Sequence, residues 1–434
     1  MADPRLTAVR NLLAVLDGRS LDSVLAAPPG SLDDRDRALS AELSYGVCRW
    51  YRRLDALVSS LLHKPFRKRD RDLHVLLLMG AYQLLYSRVP AHAALSTTVE
   101  AARSLDKAWA SKLVNGVLRR LQREYQTLAA RLDADPAVHY AQPEWLYRAI
   151  SMAWPEQATQ ILAALQERPP LTLRVDLGQV SRTDYARQLA AAGLTARPHP
   201  SIATALVLDS PVSVDLLPGF ERGLVSVQDA GAQLAGAYLD LHPRQRVLDA
   251  CAAPGGKTLD ILQRVPDLQV TAVDLDPDRL VRVAENLRRA GLDAELHAGD
   301  AAEPGGAAWS ARRYDRILVD APCSAIGVMR RHPDIRLLRR AADVDALVGR
   351  QAAILDAMWA LLAPGGRLLY VTCSLLPAEN AQQVDAFCAR HADARAVELP
   401  AAPGMRSGKG VQLLPGVDDT DGFYYAALHK TPAP

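Results

Sequence analysis

Four short apolar runs, each closing on a polar residue, constrain the second half of the chain more than any other feature. They are Arg246-Val-Leu-Asp249, Val270-Thr-Ala-Val-Asp274, Tyr314-Asp-Arg-Ile-Leu-Val-Asp320 and Arg367-Leu-Leu-Tyr-Val-Thr372, with a further piece, Ala294-Glu-Leu-His-Ala-Gly-Asp300, between the second and third. Helical patterns separate them. Strands that alternate with helices fold as a parallel sheet covered by those helices. From about Val247 onward the chain therefore reads as a doubly wound domain with a mostly parallel, twisted sheet.

The first run enters Ala250-Cys251-Ala252-Ala253-Pro254-Gly255-Gly256-Lys257-Thr258, after which a helix begins. A glycine-rich turn between a strand and a helix N-terminus lets backbone N–H groups approach a ligand closely. Three ligand classes compete for it. A phosphate loop needs G-x-x-x-x-G-K-[ST]; the Gly256-Lys257-Thr258 ending is present, but Cys251 stands where the first glycine belongs. The dinucleotide pattern G-x-G-x-x-G is absent too, which leaves an adenosine without a phosphate chain, such as S-adenosylmethionine. Asp274 follows Asp249 by 25 residues, close to the ~20-residue spacing of a carboxylate that bonds two ribose hydroxyls. Asp300 falls where a carboxylate accepts from an adenine amino group. A lone strand-terminal Asp is more often a cap or turn former; three in register share one crevice.

The length, 434 residues, suggests about three domains at roughly 150 residues each. From Arg5 to about Gln142 apolar residues recur at helical spacing, for example Leu54, Leu57, Val58, Leu61 and Leu113, Val114, Val117, Leu118, Leu121. Breaks fall at Pro28-Pro29-Gly30, Lys64-Pro65 and Val89-Pro90, and Ser31 with Asp34 resembles a capping box. Residues 1–142 are thus expected to be an all-helical domain. Residues 143–230 are expected to hold linker helices and a small α+β unit, with β-rich pieces at Leu171 to Val175, Ala205 to Leu208 and Leu224 to Val227 around one helix, Thr183 to Ala192. Residues 231–434 form the parallel-sheet domain.

The net charge of +2 hides an asymmetry: residues 1–140 hold 21 Lys+Arg against 15 Asp+Glu, net +6, and the remainder 30 against 34, net −4. A basic N-terminal third suits a polyanion. Its densest run, Lys64-Pro-Phe66-Arg67-Lys68-Arg69-Asp-Arg71, sits at a helix junction where cations and the ring of Phe66 can reach a phosphate backbone, although a solvated loop explains it equally well. Asp17 and Arg19 interrupt the first apolar stretch, and no run approaches a membrane span, so a cytoplasmic chain without a membrane partner is expected. Five cysteines without a CxxC pair or zinc-like spacing argue against a disulfide framework and against a metal.

Two of those cysteines stand apart. Cys323, in Ala321-Pro-Cys323-Ser324, and Cys373, in Thr372-Cys373-Ser374, each follow a strand into the crevice. Cys48 and Cys388 lie on helical patterns and read as small packing residues, and Cys251 is expected to pack in the cofactor turn. A thiolate facing a methyl donor solves one chemical problem: carbon 5 of a pyrimidine is too weak a nucleophile until a thiolate adds to carbon 6. Asp320 is placed to bond the N3/N4 edge of cytosine.

Together these segments resemble the RNA cytosine-5 methyltransferases, specifically the ribosomal RNA small subunit methyltransferase B (Sun/Fmu) group. The resemblance rests on Asp249-Ala-Cys-Ala-Ala-Pro-Gly-Gly-Lys-Thr258, Asp320-Ala-Pro-Cys-Ser324, Arg330-Arg-His-Pro-Asp-Ile-Arg336, Tyr370-Val-Thr-Cys-Ser374 and Asp421-Gly-Phe-Tyr-Tyr425. The helical part is similar to the antitermination factor NusB through Gly80-Ala-Tyr-Gln-Leu-Leu-Tyr86, Val89-Pro-Ala-His92 and Lys112-Leu-Val-Asn-Gly-Val-Leu-Arg-Arg120. The resemblance implies a NusB-like RNA-binding domain and a Rossmann-like class I methyltransferase domain acting on 16S rRNA, free or in an assembling small ribosomal subunit, and a monomer. It makes Cys373 the nucleophile and Cys323 the residue that assists product release. From the residues alone the order stays open, and the Pro-Cys residue of DNA cytosine methyltransferases would favour Cys323. Cofactor contacts carry onto Cys251, Ala252, Ala253, Pro254, Gly255, Gly256, Lys257, Asp274, Asp300 and Asp320, with Val227-Gln-Asp-Ala-Gly-Ala-Gln233 lining the methionine side. Lys257 and Arg330 are the donors expected to lower the Cys373 pKa. Ser324-Ala325-Ile326-Gly327 departs from the group's Ser-Gly-Thr-Gly. Two other readings are a P-loop nucleotide hydrolase using Gly256-Lys257-Thr258 with Asp320 on the metal side, and a non-catalytic RNA-binding assembly factor.

Overall fold

The computed structural model describes residues 3–26, 32–401 and 403–432. The chain divides into two compact units, one running to Glu167 and taking in Met329–Ala341, the other made of Arg168–Val328 and the chain from Ala342 onward.

The first unit is helical. Its main helices are Pro4–Leu16, Asp34–Leu61, Arg71–Tyr86, Ala91–Ser104 and Ser111–Leu132, and they close on one core built from Leu12, Val47, Leu54, Leu76, Leu118 and their neighbours. Two of the prolines act as the sequence predicts. Pro65 follows the end of the long helix, and Pro90 caps the helix that begins at Ala91. Pro28-Pro29-Gly30 and Ser31 lie outside the described residues; the long helix opens on Asp33, whose carboxylate accepts from the Asp36 N–H at 2.8 Å. Leu113 is 40% exposed because it falls outside the 114/117/118/121 stripe that faces the core. Phe66 is not the exposed ring expected. It packs partly against the helical core, 6.1 Å from the His74 ring, and two cations beside it are paired, Arg69 with Asp70 and Arg71 with Asp17.

Helices Glu144–Ala153 and Ala158–Ala164 belong to this unit, and so does Met329–Ala341, which carries the Arg330-to-Arg336 motif. Two of its residues, Asp334 and Arg336, tie segments of this unit together. Arg336 is buried, with Nη1 donating to the Arg49 carbonyl at 2.5 Å and Nη2 to the Leu165 carbonyl at 3.0 Å, while Asp334 accepts from the Leu21 N–H at 2.9 Å. A guanidinium shared by two carbonyls from separated segments works as an internal clasp. Arg336→Ala leaves those acceptors buried without a donor, and hydrogen bonds to a charged group contribute about 1.5–3 kcal/mol each. We expect this variant to lower unfolding free energy by roughly 3 kcal/mol in urea titrations followed by circular dichroism; a loss below about 0.5 kcal/mol, the scale of an ordinary surface substitution, would show that the clasp is idle.

The second unit holds two sheets. In the smaller, β1 (Leu171–Val175), β2 (Ala196–Pro198), β3 (Ala205–Leu208) and β4 (Val225–Val227) pair antiparallel in the order β2-β3-β1-β4. Strand β2 was not legible in the sequence. Helix Arg182–Ala191 covers one face, where Leu173, Val175, Tyr185, Leu189 and Leu206 pack. The alternation of β1 turns Arg174 to the opposite face.

The larger sheet contains, among the described residues, β5 (Arg246–Ala250), β6 (Gln269–Asp274), β7 (Glu295–Ala298), β8 (Tyr314–Asp320), β9 (Leu362–Thr372), β10 (Ala394–Val397), β11 (Met405–Ser407), β12 (Gly410–Leu413) and β13 (Phe423–Lys430). Its order is β11-β12-β13-β9-β8-β5-β6-β7, with β10 paired to β13. Strands β5 to β9 are parallel, and β13 runs antiparallel to β9. Period-two alternation sends Leu248, Ile317, Val319, Leu368 and Tyr370 to one helix-covered face and Val247, Leu318, Leu369 and Val371 to the other. The Ala363-Pro-Gly-Gly stretch lies inside β9 as an irregularity in its pairing with β8. From β5 the chain winds one way through β6 and β7, then returns to build β8 and β9 on the other side. Doubly wound sheets bind ligands at that reversal, outside the carboxyl ends of the strands.

Candidate active site

The turn after β5 is set by its own backbone. Cys251 has φ +62° and Gly255 φ +96°, the left-handed region in which glycine carries no Cβ penalty. At Gly255 an added Cβ would also meet the Val283 backbone at 3.0 Å. Helix Gly256–Arg264 then starts, and its first-turn N–H groups have no partners within the helix. Buried Arg174 steadies the turn from the smaller sheet, donating to the Gly256 carbonyl at 2.7 Å, to Gln228 at 2.7 Å and to Gln263 at 2.8 Å. Sequence reasoning missed Arg174; an arginine inside the Leu-Thr-Leu-Arg-Val strand pattern was the available signal.

The strand-end acids all border this turn or its neighbours. Asp249 is fully buried; Oδ2 accepts from the Thr258 hydroxyl at 2.6 Å, and Oδ1 has no partner. Asp274 accepts from the Ala253 N–H at 3.0 Å and the Asp276 N–H at 3.1 Å. Asp300 accepts from Arg350 at 2.5 Å and the Ala302 N–H at 2.7 Å; burial works against its charge, but these donors hold its carboxyl below the ordinary range. Asp320 accepts from Lys257 Nζ at 2.6 Å. In the 227–233 segment, Asp229 accepts from the Gly231 N–H at 2.7 Å, and Tyr425 donates to the Gly231 carbonyl at 2.6 Å.

This donor set decides between the ligand classes. Lys257 is committed to Asp320 and the Thr258 hydroxyl to Asp249, so the two side chains a phosphate loop would offer to phosphate and metal are engaged elsewhere. A crevice bordered by the carboxylates of Asp274, Asp300 and Asp320 fits a ligand that is cationic and hydroxyl-bearing. S-adenosylmethionine has both properties, with its sulfonium, ammonium and ribose groups. Among the described residues no cluster of three or more His, Cys, Asp or Glu is placed to hold a metal ion, and no helix is long and apolar enough to cross a membrane.

Burial pushes the Asp249 carboxyl up to about 7, and the Thr258 hydrogen bond opposes that rise. The folded chain thus keeps a proton that an unfolded aspartate releases near pH 4. Stability from that proton is complete below about pH 4 and is lost as the pH rises through about 7. In thermal melts without cofactor, Asp249→Asn should therefore be less sensitive to pH than the wild type between pH 4 and 7; parallel profiles for the two would refute the assignment.

Cys323 and Cys373 meet at the ends of β8 and β9, with their sulfurs 3.4 Å apart. Cys323 is buried and Cys373 partly open. The hydroxyls of Ser324 and Ser374, one residue further on, are 3.1 Å apart. Gly327 holds the two loops close: its N–H donates to the Cys373 carbonyl at 2.9 Å, and a Cβ there would overlap the Gly422 carbonyl. Asn380 and Gln412, both buried, donate to the Ser374 carbonyl at 3.0 and 3.1 Å. Neither was singled out from the sequence, where each reads as a polar residue beside a helix or strand. Ala325 has φ +60°, so the departure from glycine at this position puts a side chain in left-handed backbone. Of the two donors expected for Cys373, Lys257 is the one in this unit: burial opposes its charge, while Asp320 foremost, with a smaller share from Cys373, raises its pKa. Arg330 lies in the helical unit. Burial pushes the Cys251 thiol up to about 12, consistent with a packing role.

A reversal-point crevice with strand-end acids defines the class: a Rossmann-like, S-adenosylmethionine-dependent methyltransferase. The family described as 16S rRNA methyltransferase RsmB/F matches residues 236–429, the NusB family residues 2–123, and an RsmF/B-like ferredoxin-like domain residues 142–215. Ribosomal RNA small subunit methyltransferase B of Pseudomonas putida is 49% identical over 99% of both chains, and that of Vibrio cholerae 46% identical over 98% of this chain and 97% of its own. The solved structure of a methyltransferase homolog protein from Pyrococcus horikoshii, 28% identical, covers 68% of this chain and 98% of its own at a TM-score of 0.60. The chain belongs to the RsmB/F methyltransferase family.

Proposed function

We propose that this chain methylates carbon 5 of a cytidine in 16S ribosomal RNA, with Cys373 as the nucleophile and Cys323 serving product release. The observation that carries the reading is the thiol pair, 3.4 Å apart at adjoining strand ends beside the Lys257–Asp320 ion pair. S-adenosylmethionine, held along 251–257 and by Asp274 and Asp300, supplies the electrophilic methyl group. Cys373 Sγ bonds to carbon 6 of the base, which makes carbon 5 nucleophilic. Asp320 bonds the N3/N4 edge, and Lys257 offsets negative charge near the reacting ring. After transfer, water takes the carbon 5 proton as the bond from carbon 6 to Cys373 Sγ breaks and the 5,6 double bond is restored; Cys323 then protonates the released thiolate and regains a proton from solvent.

The target base has to leave its stack, which costs a few kcal/mol, so a loop or an incompletely assembled subunit suits the crevice. The NusB-like unit adds affinity through its surface cations, among them Lys112 and Arg119 along a groove of about 660 Å³ that the Arg103–Glu100 ion pair also lines, and the whole acts as a cytoplasmic monomer. Incubation with 16S RNA and labelled methyl donor, followed by bisulfite mapping, should place one 5-methylcytidine per RNA. RNA retention without methyl incorporation would instead establish a non-catalytic assembly factor, and ATP hydrolysis without cofactor binding a nucleotide hydrolase.

A further inference from the structure

The sequence motifs leave unexplained the group that lies beneath both cysteine loops. Glu379 is fully buried between β9 and helix Ala381–Arg390. Its Oε1 accepts from the Ser324 N–H at 2.7 Å and from Gln351 Nε2 at 3.1 Å. Its Oε2 accepts from the Ser324 hydroxyl at 2.6 Å and from the Ser374 hydroxyl. Ser324 follows Cys323 and Ser374 follows Cys373, so one carboxylate bridges the two residues that fix the thiols. Charge-assisted bonds of this kind are shorter and stronger than neutral ones, and four on one group leave the loops little freedom to separate.

The same carboxylate breaks the symmetry of the thiol pair. Among the groups that act on Cys323 are Cys373 at the end of β9, Tyr370 within β9 and the carboxylate of Glu379. Cys373, by contrast, faces the ammonium of Lys257. A thiolate is favoured beside a cation and disfavoured beside an anion. We propose that Glu379 is a positioning residue: it locks the two cysteine loops together and keeps the remaining proton on Cys323, so that Cys373 is the thiol that ionises. The Cys323 thiol is pushed well above its ordinary value, first by its hydrogen bond to Cys373, then by burial and by the charges of Cys373 and Glu379. One thiol proton leaves to solvent when Cys373 ionises, and the other stays on Cys323, which donates it toward the Cys373 sulfur.

This role rests on the reading of Cys373 as nucleophile, but the alkylation profiles that decide it do not use methyl transfer. Iodoacetamide labelling across a pH series, read residue by residue by mass spectrometry, should alkylate wild-type Cys373 at lower pH than Cys323. Glu379→Gln keeps the shape and removes the charge, and it should move the Cys323 profile down by about one pH unit, a tenfold change in its ionisation. Glu379→Asp keeps the charge and should leave the Cys323 profile near that of the wild type while loosening the loops, seen as a lower kcat with unchanged KM for S-adenosylmethionine. A Cys323 that reacts first in the wild-type protein, or an unmoved profile in Glu379→Gln, would overturn the proposal; the wild-type arm stands even if the glutamine variant fails to fold. A chain whose thiols are ordered in this way and yet transfers no methyl group would sink the functional reading and leave the role of Glu379 intact.

Discussion

Cys373→Ala should abolish methyl incorporation into 16S RNA, whereas Cys323→Ala should leave a covalent protein–RNA adduct that survives a denaturing gel. The first result follows from the role proposed for Cys373 as the group that adds to carbon 6. Cys323 is the nearest sulfur, but it is buried and its thiol is held well above the ordinary range by its partner, by burial and by Glu379. Removing the nucleophile from an enzyme of covalent mechanism costs on the order of 10⁴-fold or more in rate. The second result follows from the 3.4 Å sulfur separation. Without the Cys323 proton close by, the expelled thiolate re-adds faster than product departs, and the adduct accumulates. Retained activity in Cys373→Ala would reverse the order of the two thiols, and an adduct in that variant would identify Cys323 as the attacking group.

Lys257→Met should reduce kcat by about 10²–10³-fold, the scale observed when one preorganised donor is lost from a site where charge develops. Its ammonium is largely enclosed, bonds Asp320 at 2.6 Å and sits 5.6 Å from the centre of the Phe423 ring. Methionine has similar reach and packs on the same ring, so folding should change little. What disappears is the cation that balances Asp320 and faces Cys373. Single-turnover methyl transfer would report the loss directly. A variant within threefold of the wild type would mean that the Lys257–Asp320 pair serves the fold alone.

The parts of the site that were legible in the sequence are those written in local pattern. Strand-end acids follow from short apolar runs that close on a polar residue, and the Gly255-Gly256 turn announces itself by composition. What escaped was set by tertiary contact. Glu379, Asn380 and Gln412 are ordinary polar residues in sequence and acquire a role only when β9, β12 and β13 pair. Arg330 stands only a few residues beyond Cys323 in sequence, and nothing in its local pattern announces that Met329–Ala341 belongs to the helical unit. Phe66 was misplaced for a similar reason, since a ring inside a basic run gives no sign in sequence of the helical core beneath it.

The clasp formed by Arg336 has a topological consequence. A chain that supplies part of its helical unit from residues 329–341 cannot exchange that unit by one cut and one graft near its N-terminal third. Recombination at a single junction would strip the Arg49 and Leu165 carbonyls of their guanidinium and strand the Arg336 segment in the recipient. A chimera that replaces the helical unit has to take residues 329–341 from the same parent as the rest of that unit, a segment encoded between the strands that lead to the two cysteines.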